Sequence, residues 1–308
     1  MQIIGKTENV KACVATIGTF DGVHRGHRYV LEQVVGMAHA RGLDAVVVTF
    51  ANHPLCVLRP AARPQMLTLE HEKVELLRAA GVDRVVLLDF TEELARMSAF
   101  DFMRVVLRER LDVEVLMIGY DNHIGHDHKG FDECARYGEA LGMEVKGCDE
   151  LRAENGISST EIRRALQEGN VEEANRLLGY AYFLQGNVIE GFHNGRRLGY
   201  PTANLQVDAD KLIPKNGAYF VRTAYGFGML NVGTRPTLHN GRQRSIEVHV
   251  FDFADSLYGK PMRMDLLCWL RGEQEFDSLA SLQEQLEKDE RKCRGLIDKL
   301  KGEGGQTI

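Results

Sequence analysis

The sequence is poor in the features that mark stapled, membrane-spanning or nucleic-acid-coating proteins. Its six cysteines, at 13, 56, 134, 148, 268 and 293, form no CxxC and no close pair, which excludes a disulfide framework or a zinc ribbon. Cys13, Cys134 and Cys268 fall inside apolar patterns and are expected as buried, reduced thiols. Proline is scarce, 7 in 308 residues, which disfavours extended linkers. No block of like charge occurs. The 38 basic and 44 acidic residues leave a net charge of −6, which argues against a broad nucleic-acid-binding or membrane-binding face. No apolar run approaches the ~20 residues that cross a bilayer. The start, Met1 to Glu8, lacks the basic and apolar stretches of a secretory signal, so a soluble, cytoplasmic protein is expected.

What is present is ordinary globular material, 44% hydrophobic and 27% charged, with 31 glycines that favour tight turns and phosphate-approaching loops. At ~100–200 residues per domain, 308 residues predict two domains. From 12 to 150 short β-branched runs alternate with helix-period stretches. Strands are predicted at 12–17, 45–50, 84–89, 113–119 and 143–147, with helices near 26–40, 69–80, 92–110 and 131–141. That alternation means βαβ units and a parallel, Rossmann-like α/β sheet that takes ligands at its carboxyl edge. The connection 51–67 holds Pro54, Pro60 and Pro64 and reads as a long irregular flap.

Ser158 and Glu161 fit a capping box that opens a helix, and another helix follows at 171–178 and stops at Gly179. Beyond Gly179 the texture changes. Strand-like segments at 182–189, 217–224, 226–232, 245–253 and 262–270 alternate with turns, as in a small antiparallel barrel, and a helix over 278–301 follows. The boundary is placed near 180–185, giving domains 1–183 and 184–308.

Two stretches carry chemistry. The first is Gly18-Thr-Phe-Asp-Gly-Val-His-Arg-Gly-His27, which leaves the first strand and enters the first helix. His24 and His27 share a helix face at its positive end, and Gly18, Gly22 and Gly26 allow a tight turn and close approach of a ligand, so the pattern reads as a phosphate cradle. A metal pair or two surface histidines is the alternative, but HxxH needs a third ligand that nothing fixes. Ile157-Ser-Ser-Thr-Glu-Ile-Arg163 adds hydroxyls at a helix start with Arg163 one turn in. Capping accounts for Ser158 and Glu161 but leaves Ser159, Thr160 and Arg163 over. No GxxxxGK[ST] occurs.

This pair of motifs resembles the adenylyltransferase half of the prokaryotic bifunctional riboflavin kinase/FAD synthetases, within the nucleotidylyltransferase superfamily. The resemblance implies that His24 and His27 are catalytic. It places Gly18, Phe20, Asp21, Gly26, Asp121, Ser158, Ser159, Thr160 and Arg163 around ATP. The family's GxDFRFG segment appears as Gly119-Tyr-Asp-Asn-His-Ile-Gly125, so Asn122, His123 and Ile124 depart from it. With His126, Asp127 and His128 this stretch reads as a mobile, partly cationic flap rather than a metal site.

The second stretch, Gly195-Arg-Arg-Leu-Gly-Tyr-Pro-Thr-Ala-Asn204, forms a turn that presents the oxygens of Thr202 and Asn204; alone it is compatible with an ordinary turn. In Ser245-Ile-Glu-Val-His-Val-Phe-Asp-Phe253, alternation puts Ile246, Val248 and Val250 on one strand face and Glu247 with His249 on the other. Such a Glu is usually solvated surface. LGYPTAN, NVGTRPT (231–237) and EVHVFDFADSLYG (247–259) resemble the riboflavin kinase domain of the same family, which usually has Phe where Tyr200 stands. That resemblance makes Glu247 the base for the ribityl 5′-hydroxyl. It gives Thr202 and Asn204 to Mg²⁺ carried by ATP, and Gly199, Tyr200, Pro201, Asn231 and Arg235 to ATP or flavin.

The expected function is phosphorylation of riboflavin to FMN, then adenylylation of FMN to FAD with release of diphosphate. The alternative is a monofunctional riboflavin kinase with a degenerate adenylyltransferase domain. ATP and Mg²⁺ are the implied cofactors, riboflavin, FMN and ATP the partners, and a monomer or weak homo-oligomer the expected state.

Overall fold

The computed structural model describes residues 2–5, 11–119, 123–148, 157–190, 199–236 and 242–303. The chain divides into two compact units, Met1–Ser159 and Thr160–Ile308. The helices Ser159–Glu168 and Val171–Leu178 therefore count, but for Ser159, with the second unit.

In the first unit six strands form one sheet: β1 (Gln2–Gly5), β2 (Cys13–Ile17), β3 (Asp44–Phe50), β4 (Arg84–Leu88), β5 (Val113–Ile118) and β6 (Glu144–Gly147). Their order is β1-β4-β3-β2-β5-β6. The last five are parallel, and β1 adds an antiparallel edge against β4 that the sequence pattern had not indicated. β2 and β4 are buried along their whole length, which is why their sequences, CVATI and RVVLL, are nearly unbroken in apolar and β-branched residues. The helix Arg25–Arg41 covers one face with Leu31, Val34 and Ala38 and stops at Gly42, whose φ of 66° suits only glycine without strain. Chain order reverses across β2, between β3 and β5. The carboxyl ends of the central strands there are the usual ligand crevice of such a sheet.

The expected helix over 92–110 is broken. Glu92–Arg96 ends where Met97 turns extended (φ −64°, ψ 135°), and Ser98 then caps a new start by accepting from the Asp101 N–H. The chain continues as a π-helical run, Phe102–Arg110. The broken point is used. The Met97 carbonyl accepts from the His126 N–H (2.9 Å), and the Ala99 N–H donates to Asp127 (2.9 Å). These bonds and the Ile124–Lys129 bridge hold residues 123–130 as a turn against the broken point.

The second unit is a closed antiparallel barrel of β7 (Phe183–Ile189), β8 (Ala203–Val207), β9 (Gly217–Thr223), β10 (Gly226–Pro236), β11 (Arg242–Val250) and β12 (Pro261–Gly272), in the order β10-β11-β8-β7-β12-β9. A long helix, Leu279–Glu303, follows. Tyr182, Phe183, Tyr219 and Phe220 are fully buried in this unit, Phe220 in a cluster with Met229, Phe251 and Cys293 of the long helix, and the Lys211 ammonium lies 4.8 and 4.5 Å from the Tyr182 and Phe183 ring centres. Helix 171–178 is fastened to the barrel through Asn175, which donates to the Leu266 carbonyl (2.8 Å) and accepts from the Tyr182 N–H (2.7 Å). The single tryptophan, Trp269 on β12, packs 3.4 Å from where a methyl on Gly169 would sit, with Lys215 Nζ 4.9 Å from its ring centre.

All six cysteines are free. Cys13 and Cys134 are buried as expected, and burial pushes their thiols up to about 12 and about 11, which keeps them unreactive; Cys268 is only half-buried. Among the described residues no helix is long and apolar enough to cross a membrane.

The attachments of 160–183 yield the first testable outcome. A fragment of residues 160–308 is expected to be more stable than one of 184–308 by at least about 3 kcal/mol, because the shorter piece loses the buried Tyr182 ring and the Asn175 bonds. Urea denaturation of both fragments measures this, and equal midpoints would contradict it.

Candidate active sites

At the carboxyl end of β2 the chain makes an unusual turn. Phe20 (φ 48°), Gly22 (φ 84°) and Val23 (φ 37°) all lie in the left-handed region, which costs a β-branched residue most. The Asp21 carboxylate holds this turn. It is 1% exposed and accepts from the Leu67 N–H (3.1 Å), the Thr68 N–H (2.9 Å) and the Thr68 hydroxyl (3.1 Å). Thr68 Oγ1 in turn accepts from the Gly22 N–H (3.0 Å). The Asp21 carbonyl accepts from the Ser159 hydroxyl at 2.8 Å, which joins the second half of the sequence motif to the first. The side chain of Asp21 thus faces inward and shapes the turn, and Ser159 clasps the turn from outside.

The turn delivers His24 as N-cap of helix 25–41; its Nδ1 accepts from the His27 N–H (3.3 Å). The two imidazoles stack, with ring centres 3.6 Å apart and 18° between planes, and Phe20 meets His27 edge-on at 5.0 Å. A methyl on Gly26 would press on the His24 ring at 3.3 Å, so glycine is what lets the rings stack. The first turn of the helix carries no acidic residue, so its positive end is not neutralised from within. His27 Nδ1 is buried with no hydrogen-bond partner, an orphan donor or acceptor of the kind a ligand satisfies. Of the expected residues the structure gathers Gly18, Phe20, Asp21, His24, Gly26, His27 and Ser159. Thr160 lies in the first turn of helix 159–168 and Arg163 one turn in, both counted with the second unit, and Ser158 immediately precedes the helix. Asp121 lies outside the described residues.

Lys73 was missed in the sequence, where it reads as one more charge on an amphipathic helix. It is 3% exposed, and its ammonium donates to the Phe50 carbonyl (2.7 Å), the Thr49 hydroxyl (3.3 Å) and the Thr19 carbonyl (3.4 Å). It thereby ties the end of β3 to the turn. Burial lowers its pKa to about 8, against the raising influence of Asp21 and Glu70.

In the second unit the register does the assembling. Across three neighbouring strands Asn231 (β10), Glu247 (β11) and Asn204 (β8) stand directly opposite one another, on one face. Ile246, Val248 and Val250 are buried on the other face, as the alternation predicted. The Thr202 hydroxyl donates to Glu247 Oε2 at 3.4 Å. Gly199 (φ 81°) begins this turn, and His249 Nδ1 donates to the Pro201 carbonyl at 2.8 Å. A cavity of about 310 Å³ opens over the row, lined by Thr202, Asn231, Glu247, Phe276, Leu282 and Leu286 among others. Thr202 also lines a second cavity of about 440 Å³, with Pro201, Phe253, Leu257 and Tyr258. Arg271 and Asp289, ion-paired at 2.8 Å, line the first cavity as well; sequence spacing gave no sign of this pair. Arg235 lies on β10 opposite Gln243, and its side chain lies outside the described residues.

An α/β unit with a phosphate cradle at its carboxyl edge, followed by a barrel with a carboxylate among neutral oxygens, defines a two-part enzyme of phosphate transfer. The first part, residues 6–161, matches the FAD synthetase family, and residues 178–297 match the riboflavin kinase family. The chain is 37% identical to the bifunctional riboflavin kinase/FMN adenylyltransferase of Listeria monocytogenes over 93% of both chains. It is 36% identical to the Escherichia coli K12 enzyme of that name over 92% of both. A Streptococcus pneumoniae crystal structure described as a macrolide-efflux protein superimposes with a TM-score of 0.84 at 30% identity, covering 94% of this chain and 96% of that one. The chain belongs to the bifunctional riboflavin kinase/FMN adenylyltransferase family.

His27 supplies a pH test. Burial first, then the neighbouring His24 and the Lys73 charge, hold its imidazole well below the usual value of 6.5. The unfolded chain binds this proton below pH ~6.5 and the folded one does not, so its contribution to stability is lost as pH falls through that window. His27→Gln should therefore flatten the fall in stability between pH ~6.5 and ~5. Denaturant titrations at several pH values check it; an unchanged slope would count against the buried neutral state.

Proposed function

We propose that the barrel unit phosphorylates riboflavin through Glu247 and that the α/β unit adenylylates the resulting FMN through His24 and His27. Residues 184–308 carry the first activity and residues 1–183 the second. The observation that supports the kinase assignment most is the row Asn231–Glu247–Asn204 with Thr202 in contact. A carboxylate that accepts a proton stands there beside neutral oxygens, under a cavity with an apolar wall. Riboflavin fits the cavity with Phe276, Leu282 and Leu286, which suit a flat aromatic ring, and ATP fits the one on the far part of the Thr202 turn.

In the kinase step Glu247 orients the ribityl 5′-hydroxyl and takes its proton as the oxygen attacks the γ-phosphorus of ATP. The Thr202 hydroxyl donates its hydrogen bond to Glu247, which leaves its lone pairs for a cation, and Asn204 adds a second neutral oxygen. Both are neutral hard-oxygen donors of the kind that suits Mg²⁺ carried in on ATP phosphates. Thr202 and Asn204 would hold Mg²⁺, which would there neutralise charge on the phosphates. In the adenylyl step the FMN phosphate is already a nucleophile and needs no strong base. It attacks the α-phosphorus while His24, His27 and the helix N-terminus bind the phosphate oxygens and the departing diphosphate. The resemblance gives Ser158, Thr160, Arg163 and Asp121 to the same ATP. The reading of a kinase with a degenerate first domain is opposed by the intact turn, the stacked histidines and the Ser159 clasp.

Chromatography of flavins from purified protein with riboflavin, ATP and Mg²⁺ tests the reading directly: FMN should appear first and FAD after it, and FMN alone would leave only the kinase. Glu247→Gln should lower the kinase kcat by ~10²-fold or more, with KM little changed and FMN-to-FAD conversion intact. A wild-type kcat would remove Glu247 from the chemistry. His27→Ala should do the reverse, cutting FAD formation by ~10²–10³-fold while FMN formation continues; a parallel loss of both would contradict separate sites.

A further inference from the structure

The long helix Leu279–Glu303 is fastened at two successive residues, and each fastening goes to a different element around the kinase cavity. Asp289, 5% exposed, pairs with Arg271 of β12 at 2.8 Å and also accepts from Gln285 (2.9 Å). Glu290, the next residue, accepts from the Tyr200 hydroxyl at 2.9 Å. Tyr200 directly precedes Pro201 and Thr202 in the turn. Its ring packs edge-on against His249 (5.2 Å, 76°), whose Nδ1 donates to the Pro201 carbonyl. Glu290 is itself held: its other oxygen accepts from Arg294 at 2.8 Å, and Arg294 reaches Asp252 just beyond β11 at 3.0 Å. Asp252 has a φ of 56° and Arg294 lies 5.2 Å over the Phe251 ring, so the acceptor end of the bond has a fixed base.

We propose that the Tyr200–Glu290 hydrogen bond is a positioning latch that joins the helix forming the apolar wall of the kinase cavity to the turn that presents Thr202. The inference rests on the kinase reading of that cavity. The helix supplies Leu282 and Leu286 beside the acceptor, and the turn supplies the oxygen beside the phosphate donor. The Arg271–Asp289 and Arg294–Asp252 pairs hold the helix to the barrel, and the Tyr200–Glu290 bond ties the Thr202 turn to that helix, so it bears on how the two halves of the reaction face each other. Phosphoryl transfer depends on in-line alignment more than on tight binding, so loosening the bond acts on turnover before affinity. Tyr200 is a positioning residue here: burial and Glu290 keep its hydroxyl protonated to about pH 12, so the donor persists at any working pH.

Tyr200→Phe removes the hydroxyl and keeps the ring against His249. In the full-length enzyme it should lower the kinase kcat roughly fivefold, with KM for riboflavin and ATP within about twofold and FMN-to-FAD conversion unchanged. Glu290→Ala, which removes the same bond and also frees Arg294, should be at least as slow, and the double variant should be no slower than Glu290→Ala, because Tyr200→Phe then has no acceptor left to lose. Hydrogen exchange gives a readout independent of activity. In Tyr200→Phe the amides of 199–204 and of 286–294 should both exchange faster, and those of helix 25–41 should not. A wild-type kcat, additive losses in the double variant, or faster exchange confined to one of the two segments would overturn the latch. A wild-type protein that forms no FMN would overturn the kinase reading itself, and exchange would still decide whether the bond couples helix and turn.

Discussion

The carboxylate of Asp21 is the constraint on which the first site depends. A turn with Phe20, Gly22 and Val23 in the left-handed region is costly, about 1–3 kcal/mol for each non-glycine residue. It persists because the carboxylate accepts from two backbone amides and a hydroxyl at residues 67–68, bonds to charge that contribute about 1.5–3 kcal/mol each. The strained geometry is what aims His24 into the cap position and brings His27 under it in a stack. Lys73 fixes the same turn from the β3 side through the Thr19 carbonyl. The histidines are therefore placed by a polar framework whose carboxylate is itself turned inward.

The second site is organised by different means. A closed barrel has a fixed register, and that register places Asn231, Glu247 and Asn204 side by side. Only Thr202 and Tyr200 lie on an irregular turn, and they are the residues that need outside support. His249 and the long helix give it. The two sites thus show two ways of holding a polar group still: cross-chain bonds to a strained loop, and the periodicity of a sheet.

Much of this was legible in the sequence, for physical reasons. The five parallel strands begin and end within a residue or two of the expected positions, because strands buried on both faces must be continuous in apolar residues. The alternation 246-247-248-249-250 gave the orientation of Glu247 correctly, since a strand has only two faces. Helix 92–110 was misread as continuous. Its apolar spacing persists across Met97–Ser98, while the break comes from a serine cap that competes with helix continuation. β8 went unseen because only five residues of it, Ala203–Val207, follow a turn motif, and β1 because four residues carry no period. The roles of Asp21 and Lys73 were invisible for another reason. Their partners lie 46 or more residues away for Asp21, and 23 to 54 away for Lys73, and backbone donors and acceptors leave no residue signature.

The placement of Trp269 has an optical consequence. It is the chain's single tryptophan and sits on β12, beside Gly169 and under the Lys215 ammonium, inside the second unit. Indole emission therefore reports on the barrel and its attached helices and is blind to the α/β sheet. Circular dichroism sums both units. A difference between the two signals during unfolding would separate loss of the barrel from loss of the nucleotide-binding sheet in a single unlabelled sample, and would show directly whether the units melt together or in turn.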